Sequence, residues 1–204
     1  VKLIDIGDDY LIDPNKLKNI INKKTKVIIP VHLYGQPCNM DEILKNAKKH
    51  KIHIIEDCAQ SQGARFKNKY VGTFGLAGCF SFYPTKILGA YGDGGFILTN
   101  DFEFYKKIKR VRFYGIESTD KKNKFFNKYY AFENGINSRI DEIQSTILNF
   151  KLNKVDDYIK KRSKLAEIYM KELEETSLIL PKQNEHCQHV YNLFTVCHSK
   201  KKLI

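Results

Sequence analysis

The chain alternates regularly between short β-branched runs and amphipathic helical patterns, and this alternation constrains its fold more than any other feature. Strands are predicted over 1–6, 27–31, 52–55, 79–83 and 95–99, with helices beginning after Asp13, Asn39 and Asp101. Strand–helix–strand order predicts an α/β fold with a mostly parallel, helix-covered sheet. Ligands bind beyond the carboxyl ends of such strands, which makes His32, Asp57, Gln60 and the segment after Tyr83 candidate site residues.

Composition excludes several classes of protein. The 204 residues are 42% hydrophobic, yet no run approaches the roughly 18 apolar residues of a membrane helix. The net charge is +12, but Lys outnumbers Arg 30 to 5 and is scattered along the chain. Proteins that read nucleic acids favour clustered Arg, so we expect no nucleic-acid partner; a polyanion-binding module is the alternative.

The cysteines and the chain start bear on the protein's compartment and completeness. Five cysteines without a CxxC spacing favour reduced thiols in a cytoplasm. The stretch 186–189 offers His and Cys without a matching second pair, so no metal site is predicted. The first residue is Val1, and we interpret the chain as a piece of a longer protein.

A change of pattern near residue 138 predicts the domain organisation. From 138 to about 175, apolar residues at helical spacing continue without Gly or Pro, which predicts a long helix with a break or an inter-domain role. The segments 178–181 and 190–196 are predicted as strands of a second unit. We therefore expect one domain over 1–150, and a long helix with the start of a small domain over 151–204.

Three segments carry polar groups that suit catalysis or binding: 56–61, 80–86 and 135–144. Asp57 is either a carboxylate facing a ligand crevice or a capping residue at a turn. Lys86 is either one surface lysine among many or an amine desolvated by aromatic, Pro and Gly neighbours, as Schiff-base chemistry requires. Asn137 or Ser138 is also explained as an ordinary helix cap.

Together and in this order, the segments resemble the DegT/DnrJ/EryC1/StrS family of pyridoxal-phosphate-dependent sugar aminotransferases. The resemblance rests on four blocks, at 29–37, 56–61, 80–95 and 135–139. One departure is Ile87, where the family usually has Asn. The resemblance implies an aspartate-aminotransferase-type (fold type I) large domain, followed by the start of a small α+β domain.

The resemblance also implies a role for each candidate residue. Lys86 is the expected covalent attachment point for pyridoxal 5'-phosphate and the general acid/base. Asp57 is expected to pair with the ring nitrogen. The other expected cofactor contacts are Ala59 against the ring face, Gln60 near the phenolic oxygen, Ser81 at the phosphate, and Asn137 at the phosphate bound by the neighbouring subunit. A homodimer with a shared active site is thereby implied.

The implied reaction moves an amino group, with glutamate as the expected donor, onto a keto group of a nucleotide-linked deoxysugar. Its expected setting is cytoplasmic biosynthesis of cell-surface polysaccharide or related sugars, without a nucleic-acid or membrane partner. Family members that carry His instead of the lysine dehydrate sugars, so the presence of Lys86 favours amino transfer. The alternatives are an inactive fragment or scaffold, a regulatory relative, and a dehydratase or isomerase. Substrate-facing residues are expected in loops such as 116–134.

Overall fold

The computed structural model describes residues 1–116 and 130–199. The helices are α1 (Pro14–Ile20), α2 (Met40–His50), α3 (Phe102–Val111), α4 (Glu142–Leu152) and α5 (Val155–Glu172). The strands are β1 (Val27–Ile28), β2 (His53–Asp57), β3 (Arg65–Phe66), β4 (Lys69–Tyr70), β5 (Ala77–Ser81), β6 (Gly95–Leu98) and β7 (Cys187–Gln188). The tract 121–124 and most of the loop 116–134 lie outside the described residues.

The main sheet has four strands in the order β1-β2-β5-β6. The pairs β1–β2 and β2–β5 are parallel, and β5–β6 is antiparallel. The connection from β1 to β2 passes through α2, as a parallel crossover requires. The predicted α/β class with a mostly parallel sheet is therefore confirmed.

Side-chain caps explain where four of the helices begin. Asp13, Asn39, Asp101 and Asp141 each accept a backbone N–H from the first turn of the helix that follows. These bonds satisfy N–H groups that have no partner within the helix. The three helix starts predicted from the sequence, after Asp13, Asn39 and Asp101, are confirmed.

Several predicted strands differ from the structure. The strand expected over 27–31 is formed only over Val27–Ile28, and Val31 makes an isolated bridge to Asp57. Residues 1–6 form no strand, and their β pairing is a single bridge between Ile6 and Ile12. The strand expected over 79–83 runs from 77 to 81 instead. It ends at Ser81 because the Ser81 hydroxyl oxygen accepts the Tyr83 N–H at 3.2 Å, which turns the chain out of the sheet.

The predicted break in the long helix is confirmed, since α4 ends at Leu152 and α5 begins at Val155. The strand expected over 190–196 is not formed. Val190 is fully buried in a cluster with Cys58 and Ile87, so this segment packs against the first part of the chain. A bridge joins Ile179 to Cys197, and the domain boundary near residue 150 stays a prediction.

A second small sheet lies beside the main one, in the order β4-β3-β7 and antiparallel throughout. It joins a hairpin at 65–70 to the segment that precedes Val190. All five cysteines are free thiols. Within the described ranges, no helix combines the length and the apolar character needed to cross a membrane.

Candidate active site

Asp57 and Ser81 lie at the same edge of the main sheet. Each is the last residue of its strand, and β2 and β5 are parallel neighbours in which Asp57 pairs with Cys79. Strand spacing and the rise of two residues place the Asp57 and Ser81 Cα atoms about 8 Å apart. The sheet therefore brings a carboxylate and a hydroxyl to one crevice edge, as predicted for ligand binding.

The Asp57 side chain combines the two interpretations that its sequence allowed. Its Oδ1 accepts the Ala59 N–H at 3.0 Å, which makes it the cap of the turn after β2. The side chain is half-buried, and Oδ2 has no hydrogen-bond partner among the described residues. One oxygen thus shapes the turn while the other is available to a ligand.

Lys86 lies in a tight turn directly after β5. The Lys86 N–H donates to the Tyr83 carbonyl at 2.9 Å, and the Ala90 N–H donates to the Phe82 carbonyl at 2.8 Å. A Cβ on Gly89 would collide with the Pro84 carbonyl, so only glycine permits this closure. The Lys86 side chain is half-buried, and its amine has no ion pair or hydrogen bond within the described part of the chain.

The residues that directly follow Asp57 and Lys86 in sequence belong to the same apolar cluster. Cys58 and Ile87 are both buried in it, together with Ile159 of α5. Ile87 thus has a packing role at the position where the resemblance implied Asn. The shared cluster holds the turn after β2 and the turn after β5 against the same helix.

Gln60 anchors the loop that follows β1. Its Oε1 accepts the Tyr34 N–H at 2.7 Å, in a turn where Tyr34 has φ +59°. The bond steadies a backbone conformation that residues other than glycine adopt rarely. Its Nε2 has no partner among the described residues and is available as a donor.

Asn137 is not brought to the crevice edge by any contact that the structure describes. It is exposed, pairs with Phe113 through a β-bridge, and its Oδ1 accepts a bond from Arg139 Nε at 3.0 Å. Its predicted role toward a neighbouring subunit stays a prediction.

Sequence reasoning missed Gln62, although it lies beside the 56–61 block. This buried amide donates from Nε2 to the Ser81 carbonyl at 2.6 Å and to the Leu88 carbonyl at 3.3 Å. Its Oε1 accepts the Leu88 N–H at 2.7 Å. Helix α4 adds an outer contact, because Lys151 donates to the Gly89 carbonyl at 2.6 Å.

His32 and Glu56 form a buried pair beneath the edge, with Nε2 and Oε2 3.2 Å apart. Cys38 donates its N–H to His32 Nδ1, so the ring proton is on Nε2 and points to Glu56. His32 therefore belongs to the supporting core and does not face the crevice.

Glu56 accepts three backbone N–H groups besides the imidazole: Gly72 on Oε2, and Phe74 and Gly75 on Oε1, all within 2.8 Å. Burial alone raises the pKa of this carboxyl, but the bonds from His32, Gly75 and Gly72 outweigh it and hold the pKa below its usual value. Glu56 is consequently a charged, fully satisfied core residue.

Ligand-type atoms of His32, Glu56 and Cys58 lie within 4.8 Å of one another. Both Glu56 oxygens are taken by N–H donors, however, and burial raises the pKa of the Cys58 thiol, which keeps it protonated. Metal binding requires deprotonated, available ligands, so the group is explained as a hydrogen-bonded core.

Comparison with known proteins identifies the chain's relatives. Residues 1–203 match the DegT/DnrJ/EryC1/StrS aminotransferase family. The chain belongs to this family. It is 39% identical to a dTDP-3-amino-3,4,6-trideoxy-alpha-D-glucose transaminase of Micromonospora megalomicea subsp. nigra, over 97% of this chain and 52% of the relative. The chain thus spans about half the length of the curated relatives that it matches.

Solved structures of the family confirm the predicted fold type I architecture. DesV from S. venezuelae superposes with a TM-score of 0.89 at 34% identity, covering 98% of this chain and 52% of DesV. E. coli GDP-4-keto-6-deoxy-D-mannose-3-dehydratase with bound hydrated PLP gives 0.88 at 29% identity, covering 98% and 54%. Solved structures with this fold therefore include a dehydratase, and the named sequence relatives include a transaminase.

The donor set at the crevice edge fits the family's cofactor. Pyridoxal phosphate presents an aldehyde, a ring nitrogen and a phosphate. The edge offers an amine on Lys86, a carboxylate oxygen on Asp57 and a hydroxyl on Ser81, on two adjacent strands and the turn that follows. The first two groups have no competing partner within the described residues, so they are available to such a group.

Proposed function

We propose that this chain forms the central part of a pyridoxal-phosphate-dependent aminotransferase that moves an amino group from glutamate onto a keto group of a nucleotide-linked deoxysugar. The observation that carries the proposal is the Lys86 amine, which has no ion pair or hydrogen bond among the described residues and lies in a turn at the edge that also holds Asp57 and Ser81. The transaminase named among the relatives, which acts on a dTDP-linked amino sugar, supports the substrate class.

When bound, the cofactor supplies an aldehyde that condenses with amines and a ring that accepts electrons. Lys86 would hold the cofactor at its aldehyde and, once the incoming amino group had displaced it, its freed amine would act as the general acid/base. Asp57 Oδ2 would hold a proton on the ring nitrogen. The Ser81 hydroxyl would donate to the phosphate, Gln60 Nε2 would donate toward the phenolic oxygen, and Ala59 would pack against the ring face.

The active site is proposed to be shared between two subunits of a homodimer. Asn137 is exposed and lacks any described contact with Asp57, Ser81 or Lys86, which supports a role toward a second copy. Its Nδ2 would donate to the phosphate bound by that copy. We further propose a cytoplasmic enzyme of cell-surface polysaccharide or related sugar biosynthesis, and the free thiols support that compartment.

A sugar dehydratase is the second candidate, favoured by the close superposition on the dehydratase structure. Lys86 argues against it, because the dehydrating members of the family carry His at this place. An inactive scaffold is the third, and the available Lys86 and Asp57 side chains argue against it.

Two substitutions of Lys86 test the proposal, in protein expressed from the complete gene. Lys86→Ala and Lys86→Arg should both abolish amino transfer from glutamate to keto-sugar nucleotides, because neither side chain is a nucleophilic amine. Lys45→Ala, on the exposed face of α2, is the matched control and should retain full turnover. Turnover that survives Lys86→Ala would contradict amino transfer, and dehydration without amino transfer by the unaltered protein would favour the second candidate.

A further inference from the structure

Gln62 is the one described side chain that bonds to backbone on both sides of the Lys86 turn. It is 6% exposed, and its amide reaches the Ser81 carbonyl, where the turn leaves β5, and Leu88, where the turn closes. Both its oxygen and its nitrogen are used. The opposite amide orientation would place two donors against the Leu88 N–H and an acceptor against two carbonyls, so the bonds fix the orientation of the side chain.

Gln62 joins the two ends of the eight-residue stretch 81–88, which contains both Ser81 and Lys86. Ser81 is the candidate phosphate donor, and Lys86 is the candidate attachment point for the aldehyde. The phosphate and the aldehyde of the cofactor are a fixed distance apart, so the turn must hold the Ser81 and Lys86 side chains at a matching separation. Within the described residues, the Gln62 amide is the side-chain bridge that closes this stretch.

Helix α4 holds the outer side of the same loop without closing it. Lys151 bonds to the Gly89 carbonyl, and Gln144 Oε1 accepts the Tyr91 N–H at 2.8 Å. Both contacts lie after Lys86, so they fix the end of the loop relative to α4. They do not fix the distance between its two ends.

We propose that Gln62 is a positioning residue that sets the separation between Ser81 and Lys86, and thereby lets one cofactor molecule engage both. The inference rests on the proposed function, since it assumes pyridoxal phosphate at this edge. Gln62 itself touches neither end of the cofactor in this proposal and acts through the backbone of Ser81 and Leu88.

The test compares two ligands that differ only in the phosphate. In protein from the complete gene, affinity for pyridoxal phosphate and for pyridoxal is measured by equilibrium titration of absorbance. The ratio of the two affinities, the phosphate gain, reports whether the phosphate and the aldehyde are engaged together. Gln62→Ala should reduce the phosphate gain about tenfold, the order expected for losing buried hydrogen bonds that position a group.

A matched control separates positioning from general destabilisation. Asn46 is another buried amide, on α2, and its side chain donates to the Glu42 carbonyl at 2.7 Å. Asn46→Ala should lower the unfolding temperature without changing the phosphate gain. An equal fall of the gain in Asn46→Ala and Gln62→Ala would overturn the proposal.

Gln62→Glu adds a pH-dependent readout, and it also serves if Gln62→Ala fails to fold. A protonated carboxyl donates one bond to the Ser81 carbonyl and accepts the Leu88 N–H, whereas a carboxylate faces two carbonyls and donates nothing. The phosphate gain of Gln62→Glu, divided by that of the unaltered protein at the same pH, should rise as the pH falls from 8 to 5. If this ratio equals 1 at every pH between 8 and 5, or is equally low at every pH in that range, the proposal is contradicted.

The Lys86 substitution distinguishes failure of this inference from failure of the proposed function. The unaltered protein should favour pyridoxal phosphate over pyridoxal, and Lys86→Ala should lose the absorbance band of the amine-linked cofactor. If the unaltered protein shows no such band, the proposed function fails and the role of Gln62 falls with it. If the band is present while the Gln62 variants keep the full phosphate gain, only the positioning role is wrong.

Discussion

Glu56 and Asp57 are neighbours in sequence at the end of β2, yet their surroundings are opposite. Side chains alternate faces along a strand, and here Glu56 faces the core while Asp57 faces the crevice. Glu56 is fully buried with four N–H partners, whereas Asp57 is half-buried with one. The difference indicates that one carboxylate builds the crevice edge and the other is left available for chemistry.

The Glu56 bonds explain how the edge is built. Three of its donors, Gly72, Phe74 and Gly75, belong to the loop that leads into β5. Holding that loop against the end of β2 fixes the register in which Asp57 pairs with Cys79. Glu56, the core-facing carboxylate, therefore fixes the position of β5 and its Ser81 relative to Asp57, the crevice-facing carboxylate.

Removing the core-facing carboxylate should have the largest effect on stability. Glu56→Ala leaves three backbone N–H groups and the His32 ring N–H without an acceptor in the core. Removing a buried charged group and leaving its hydrogen-bond donors without an acceptor lowers the free energy of unfolding by about 3–5 kcal/mol. Urea denaturation of the purified protein measures this, and a loss below about 1 kcal/mol would contradict the structural role of Glu56.

The contribution of Glu56 should also disappear in acid. Its folded pKa is lowered from 4.5, so its stabilising effect is fully present well above pH 4.5 and is lost as the pH falls through the folded value. Glu56→Gln cannot ionise and is the comparator. The difference in unfolding free energy between the two proteins should be constant near neutral pH and should shrink below about pH 4.5. A difference that is independent of pH would contradict an ionised Glu56 carboxylate.

His32 should matter less than Glu56, because it satisfies fewer groups. His32→Leu has a similar volume but loses the bond to Glu56 and leaves the Cys38 N–H unpaired, at a cost of about 2 kcal/mol. The double variant with Glu56→Ala should cost less than the sum of the two single changes, because they share one bond. Strict additivity in denaturation would show that the two side chains act independently.

Altering the crevice-facing carboxylate should leave stability almost unchanged. Asp57→Asn keeps an oxygen for the Ala59 N–H, so the free energy of unfolding should change by about 0.5 kcal/mol or less. The amide cannot hold a proton on the ring nitrogen, however, and turnover should fall at least about a hundredfold. A variant that is destabilised as much as Glu56→Ala would place Asp57 among the core residues.

The sequence indicated the candidate site residues more readily than the residues that hold them in place, and the roles of the candidates stay predictions. The end of a strand indicated Asp57, the resemblance to the family singled out Lys86 in a turn rich in Gly and Pro, and capping residues indicated the helix starts after Asp13 and Asn39. The two-residue strands of the small sheet were missed because so short a segment shows no alternation. Gln62 was missed because its partners lie 19 and 26 residues away, and no local pattern indicates such contacts. The alternation rule separates the faces of Glu56 and Asp57, but the loop donors to Glu56 appear only in three dimensions.

Covalent mapping tests the central claim, that the crevice edge exposes one reactive amine, most directly. The protein from the complete gene is incubated with pyridoxal phosphate, reduced with borohydride, digested and analysed by mass spectrometry. We predict that the cofactor is fixed on Lys86 and on none of the other 29 lysines. We also predict that the Asp57→Asn variant is still labelled on Lys86. Labelling at a different lysine, or labelling spread over the surface lysines, would contradict the account.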